Sequence, residues 1–170
     1  MILAVDEKNG IGKNNNLCWK LKWDMTYFKE ITSKTKDKNK KNALIMWRKT
    51  WESIPKQFKP LKDRYNIILT RDINYKIEGE NTFVFNSFEE SLLALEQNEK
   101  IENIFLIWGA TLYNEFLDNK NLKKVFITKV NKTFKCDTFF KGLSRKFKLK
   151  KMSKKMIEDG ISYQFLTYKK

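Results

Sequence analysis

The sequence holds no histidine, two cysteines, two prolines and six glycines in 170 residues. Without an imidazole there is no Ser-His-Asp or Cys-His catalysis and no HExxH zinc site. Proton transfer therefore falls to Asp, Glu, Lys, Tyr or water. Cys18 and Cys136 stand far apart with no CxxC spacing. One disulfide is possible in principle, but two buried thiols in a reducing compartment are expected. No apolar run approaches the roughly 18 residues of a membrane span. The opening MILAVDEKNG has no basic stretch ahead of its short apolar run and no small-residue cleavage site, so a cytoplasmic address is expected.

Negative charge is scarce as well: 20 Asp and Glu face 35 Lys and Arg, a net charge of +15. Lysines concentrate between Lys34 and Lys41 and between Lys141 and Lys155. Neither stretch interleaves aromatics as a base-stacking platform does, so nucleic acid is not the expected partner. A basic field drawing in small polyanions is. Hydrophobic residues make up 41% and charged ones 32%, which is globular composition. Folding a chain of this size buries roughly 70% of the unfolded surface, enough for one domain over residues 1–170 without staples. A monomer is expected.

Along the chain, apolar and β-branched runs alternate with helical patterns and no linker divides them. Met1–Val5 reads as a strand, and DEKNGIGKNNN as a loop. Asp24 opens a helix with Met25, Phe28 and Ile31 on one face. The strand Ala43–Met46, the short helix RKTWESI ending at Pro55 and the strand Tyr65–Thr70 follow. Next come a strand at Thr82–Val84 and a helix at Ser87–Leu95 with Ser87 as its cap. IENIFLIWG reads as a strand for the middle of a parallel sheet, and ATLYNEFLD as the helix after it. Lys124–Lys129 and Ser162–Tyr168 close the chain as strands. Alternation followed by strands alone predicts an α/β sheet with antiparallel edges.

Two strand-to-helix junctions stand out, because unpaired N–H groups and the positive dipole end at a helix start can receive phosphates. Met46–Trp47–Arg48–Lys49–Thr50 carries two cations and a hydroxyl; Ile107–Trp108–Gly109–Ala110–Thr111 carries a glycine and a hydroxyl. Neither is a GxGxxG or Walker loop, and each is also compatible with an ordinary turn. Asp24 is either a helix cap or an acid whose pKa is raised by apolar neighbours. Arg64, just ahead of a strand, is either a surface residue or a fork for a carboxylate. Five tryptophans (Trp19, Trp23, Trp47, Trp51 and Trp108) are many for one domain, though core packing would use them too.

The ordered blocks DEKNGIG, LCWKLKWDMTYFK, MWRKTWESIP, DRYNIILTR, LIWGATLYNEFL, FITKV and CDTFF resemble dihydrofolate reductase, and the likeness runs from Leu3 to Tyr168. The resemblance implies a single α/β domain with a mostly parallel eight-stranded sheet, an antiparallel C-terminal edge and about four flanking helices. It implies NADPH as cofactor and dihydrofolate as substrate, with hydride delivered to C6 and a proton to N5. Asp24 would bind the pterin and assist that protonation, supported by Thr128, with Trp19 and Leu17 in the loop 12–19 that acts as the family's mobile lid. Phe28, Ile54, Leu61 and Ile107 would line the substrate channel, and Arg64 would hold the glutamate carboxylate, a bidentate task that lysine does poorly. Ile11, Gly12, Trp47, Arg48, Lys49, Thr50, Thr70, Arg71, Trp108, Gly109, Ala110 and Thr111 fall on the cofactor side. No metal is implied.

The chain departs from the family at a few places. Tryptophan stands at 47 and 108 where the family has glycine, Cys18 replaces a usual proline, and the first strand begins late. Indoles beside a pyrophosphate would crowd it, so a catalytically impaired scaffold with a basic binding surface is the alternative to an enzyme. Both changes run from glycine to tryptophan, as a UGA codon read under the wrong translation table would produce. A reductase for another pterin is disfavoured by the Asp24, Phe28 and Arg64 set, which suits a folate tail.

Overall fold

The computed structural model covers residues 1–170 and describes all but 15 and 108, with only the backbone of Ala110. The chain forms two compact units, Met1–Asp24 with Trp108–Lys170, and Met25–Ile107.

The second unit is built on a parallel sheet of β3 (Lys41–Trp47), β4 (Arg64–Leu69), β5 (Thr82–Phe85) and β6 (Ile101–Leu106), in the order β5-β4-β3-β6. Ala43, Leu44, Ile45 and Met46 are all fully buried, and so are Ile68 and Leu69 beside them. Strands buried on both faces read as continuous apolar runs, which is why these were visible in the sequence. β6 pairs with β3 and follows it in this order. Helices α2 (Arg48–Ser53) and α3 (Phe88–Glu96) connect the strands. Ser87 caps α3, its hydroxyl accepting the Glu90 N–H at 3.1 Å.

The first unit holds a five-stranded mixed sheet. β1 (Ile2–Val5) lies parallel to β7 (Lys124–Val130), and β11 (Ile161–Lys169) runs antiparallel on the other side of β7. β10 (Met156–Glu158) and β9 (Lys148–Met152) both pair with β11. Every residue of β9 is exposed, so the lysines from Lys141 onward belong in part to a solvated strand, where charge discourages further strand addition. A two-stranded ribbon of β2 (Gly10–Gly12) and β8 (Thr138–Phe139) adds to this unit, as does α4 (Ala110–Phe116). Short strands such as β2, β8 and β10 have too few residues to show a period. That is why the described residues form more strands than the expected eight.

Helix α1 spans Lys22–Ser33. Its buried positions are Asp24, Phe28 and Thr32, not the expected face of Met25, Phe28 and Ile31; Met25 is 45% exposed. Two of the three are polar, so hydrophobic periodicity picked the wrong stripe. Asp24 and Thr32 stand eight positions apart on one face of α1, and buried polar groups of this kind must find hydrogen-bond partners.

Candidate active site

In the first unit, Thr128 sits on β7 between Ala4 of β1 and Phe165 of β11. Its hydroxyl donates to Asp24 Oδ1 at 2.6 Å, and both residues are buried. Burial pushes the Asp24 carboxyl up to about 6; the Thr128 hydrogen bond opposes that shift and the nearby Glu158 charge adds to it. Asp24 is therefore not the cap of α1. Glu158, at the end of β10, does that work by accepting the N–H groups of Lys22 at 2.6 Å and Trp23 at 3.3 Å. Those bonds hold Glu158 below the usual carboxylate range, so it stays charged beside the helix start. The Tyr163 hydroxyl donates to the same carboxylate at 3.4 Å, and burial with that charge raises it to about 12.

Trp19 packs with Ala4, Leu21, Val130 and Tyr163, its ring 5.2 Å from that of Phe134. Its indole N–H is buried and has no protein partner among the described residues. A buried donor in that state is where water or a ligand belongs. Ahead of it, Ile11 is buried and Leu17 is exposed. Gly12 permits the loop to fold back: a Cβ there would lie only 2.4 Å from the Asn16 carbonyl oxygen. Gly109 begins α4 at φ 141, a conformation that favours glycine. Thr111 is exposed, whereas Trp108 and the Ala110 side chain lie outside the described residues.

In the second unit, Arg64 is buried at the start of β4. Its Nε donates to the Lys62 carbonyl at 2.8 Å and its NH1 group to Thr32 Oγ1 at 2.8 Å; its guanidinium lies 5.9 Å from the Phe28 ring centre. Thr32 in turn donates to the Phe28 carbonyl at 2.7 Å. Burial lowers the Arg64 pKa, although the group stays cationic. Among the described residues the ion pairs are Arg48 with Glu52 and Arg48 with Asp72, and neither involves Arg64. A buried guanidinium with no ion pair among the described residues has the chemistry to receive an anion. Phe28, Ile54, Leu61 and Ile107 are all buried in this unit.

The C-terminal ends of β3 and β4 lie side by side, with Trp47 level with Leu69. Arg48 donates to Asp72 at 3.0 Å and its guanidinium lies 5.1 Å from the Tyr75 ring centre. Lys49 and Arg71 are exposed, Thr50 is half-buried and Thr70 is buried. The buried indole N–H of Trp47 has no protein partner among the described residues. Ligands of open α/β sheets bind beyond the carboxyl ends of the strands, which is where this group stands.

Comparison with known proteins bears on both units together. The family model described as dihydrofolate reductase matches residues 1–170. The chain belongs to the dihydrofolate reductase family. The dihydrofolate reductase of Heliothis virescens is 38% identical over 177 residues, covering all of this chain and 96% of that protein. That of Aedes albopictus is 35% identical, again over all of this chain and 96% of the relative, and that of Rattus norvegicus is 35% identical over 99% and 95%.

Nothing in these likenesses favours the scaffold alternative over an enzyme of the dihydrofolate reductase family. Sequence reasoning overlooked Glu158, Thr32 and Asn66. Asn66 is fully buried on β4 and clasps the turn before Arg64, accepting from the Leu61 N–H at 3.0 Å and donating to the Leu61 carbonyl at 3.1 Å. A lone asparagine inside an apolar strand was the available signal, since a buried amide must find partners.

Proposed function

We propose that this chain is an oxidoreductase that reduces 7,8-dihydrofolate to tetrahydrofolate with NADPH, as a cytoplasmic monomer serving one-carbon chemistry. The observation that carries the reading is the buried Asp24–Thr128 pair, a carboxyl held near pKa 6 in a chain with no histidine. A group that titrates close to neutrality both takes and gives a proton at working pH. Asp24 anchors the pterin and passes a proton toward N5 through water, with Thr128 fixing the carboxyl orientation. Trp19 offers to that water its indole N–H, which has no protein partner among the described residues.

Phe28, Ile54, Leu61 and Ile107 supply apolar walls for the substrate, and Arg64 receives its glutamate carboxylate. NADPH, when bound, supplies the hydride. The residues present suit such a cofactor: cations at Arg48, Lys49 and Arg71 and hydroxyls at Thr50, Thr70 and Thr111. Cationic side chains on the phosphate side favour NADPH over NADH. Ile11 and Gly12 offer backbone groups, Leu17 excludes water, and Trp108, Gly109 and Ala110 complete the proposed cofactor set.

The test is loss of NADPH absorbance on adding dihydrofolate to the folded chain, with binding of each ligand measured separately. Turnover that requires both ligands supports the proposal. A folded chain that binds neither dihydrofolate nor NADPH overturns it.

A further inference from the structure

The two cysteines of this chain are 118 positions apart in sequence, yet their sulfurs lie 3.3 Å from one another. Both are free thiols and both are half-buried, not fully buried as expected. We infer that Cys18 and Cys136 are a reversible oxidation site, closing to an intramolecular disulfide that ties the segment before α1 to the segment leading into β8. A disulfide needs sulfurs about 2.05 Å apart, so closure asks for an approach of little more than about 1 Å.

The surroundings hold the pair in place. Gly10 leaves room for Cys136, since a Cβ at position 10 would lie 2.6 Å from its sulfur. Buried Asp6 accepts the N–H groups of Gly10 at 2.7 Å and Phe134 at 3.0 Å, tethering the strand on one side and the approach to Cys136 on the other. Next along, the Asp137 carboxylate accepts the Asn14 N–H at 2.9 Å, and the Asp137 N–H donates to the Gly12 carbonyl at 3.0 Å. Cys18 and Cys136 pack against the same buried cluster of Trp19, Tyr163 and Val130. Among the described residues no cluster of three or more Cys, Asp or Glu side chains forms around the pair.

The oxidant class is a peroxide. Burial, with the neighbouring Cys18 thiol, pushes the Cys136 thiol up to about 12, so Cys136 is a poor nucleophile toward the peroxide and serves as the resolving thiol. The Cys18 sulfur attacks a peroxide oxygen; the S–O bond forms, the O–O bond breaks, and the departing oxygen takes a proton as water. Cys136 then attacks the Cys18 sulfenic sulfur; the S–S bond forms, the S–O bond breaks, and a second water leaves. Two thiols lose two electrons and the peroxide gains them. A dithiol reductant reverses the change by exchange.

The consequence rests on the function proposed above. Cys18 directly precedes Trp19, whose indole N–H the proposed reaction uses, so a covalent tie there restrains the backbone that positions that donor. Oxidation therefore slows the reaction several-fold.

The full chain is treated with hydrogen peroxide, then its thiols are counted under denaturing conditions and its peptides mapped by mass. The expected result is loss of both thiols, two hydrogens fewer in a linked Cys18–Cys136 peptide pair, and full recovery with dithiothreitol. Oxygen added separately at either cysteine, or a link between two chains, overturns the site. In Cys136→Ser, dimedone should label Cys18. No label there overturns the assigned order of attack. The same samples are assayed for NADPH oxidation with dihydrofolate. A several-fold slowing that dithiothreitol reverses, and that Cys136→Ser lacks, supports the restraint; an unchanged rate in the mapped disulfide form overturns it. If the reduced chain shows no turnover, the proposed function fails, and peptide mapping still decides the thiol pair.

Discussion

Thr128 Oγ1 and Asp24 Oδ1 stand 2.6 Å apart, joining the middle of a β-sheet to the first turn of a helix 104 positions away. Burial alone would drive the Asp24 carboxyl further from its ordinary range, and the threonine hydroxyl restrains it at about 6. This pair sets the proton affinity on which the proposed reaction depends.

Asp24→Asn should lose most turnover at neutral pH and recover part of it in acid, where substrate arrives already protonated. A pH profile of kcat checks this, and full activity at pH 7 would contradict the assignment. The same change should also strengthen the fold. A carboxyl whose folded pKa is raised binds its proton more tightly when folded, so stability falls as pH climbs from about 4 to about 6. Above that window Asp24→Asn removes the penalty and should gain roughly 1–3 kcal/mol in urea unfolding. Below pH 4 the gain should vanish.

Two variants should move the pH midpoint of turnover in opposite directions. Thr128→Val removes a hydrogen bond that lowers the Asp24 pKa and should shift the midpoint to higher pH. Glu158→Gln removes a negative charge that raises it and should shift the midpoint to lower pH while keeping a cap on α1. Equal shifts of the same sign would show that neither residue acts through Asp24.

Arg64→Leu should raise the KM for dihydrofolate by about 30-fold or more, since losing one side of a buried charged pair costs at least about 2 kcal/mol. NADPH affinity should stay unchanged, because Arg64 hydrogen-bonds to Thr32 and Lys62 rather than to the residues near Trp47. Binding of the two ligands by titration separates the effects. Arg64→Lys should rescue only part, as an ammonium cannot fork onto a carboxylate.

Trp47→Gly combined with Trp108→Gly should tighten NADPH binding and raise turnover. The Trp47 indole N–H is buried without a protein partner among the described residues, a cost of about 1–3 kcal/mol that glycine removes. Trp47 itself has φ −71, an ordinary value, so any advantage of glycine there comes from space rather than backbone freedom. Unchanged NADPH affinity in the double variant would show that the indoles do not crowd the cofactor. UGA codons at 47 and 108 in the gene would mark both tryptophans as a decoding effect, and UGG codons would exclude that.

Local chemistry in the chain was enough to define much of this molecule. The parallel strands β3 and β4 announce themselves because burial on both faces demands unbroken apolar runs, and Ser87 marks the start of α3 because a helix leaves N–H groups needing an acceptor. The ordered blocks from DEKNGIG to CDTFF were sufficient to point to the family. Tertiary structure alone decided which face of α1 is buried, because a polar stripe of Asp24, Phe28 and Thr32 has no hydrophobic period to read. It also decided that Glu158 caps α1 across 136 positions and that Cys136 meets Cys18 across 118. Such pairings depend on how distant strands register against each other. A local window of sequence carries the periods of single elements, whereas contacts across a hundred residues exist only once the sheet has closed.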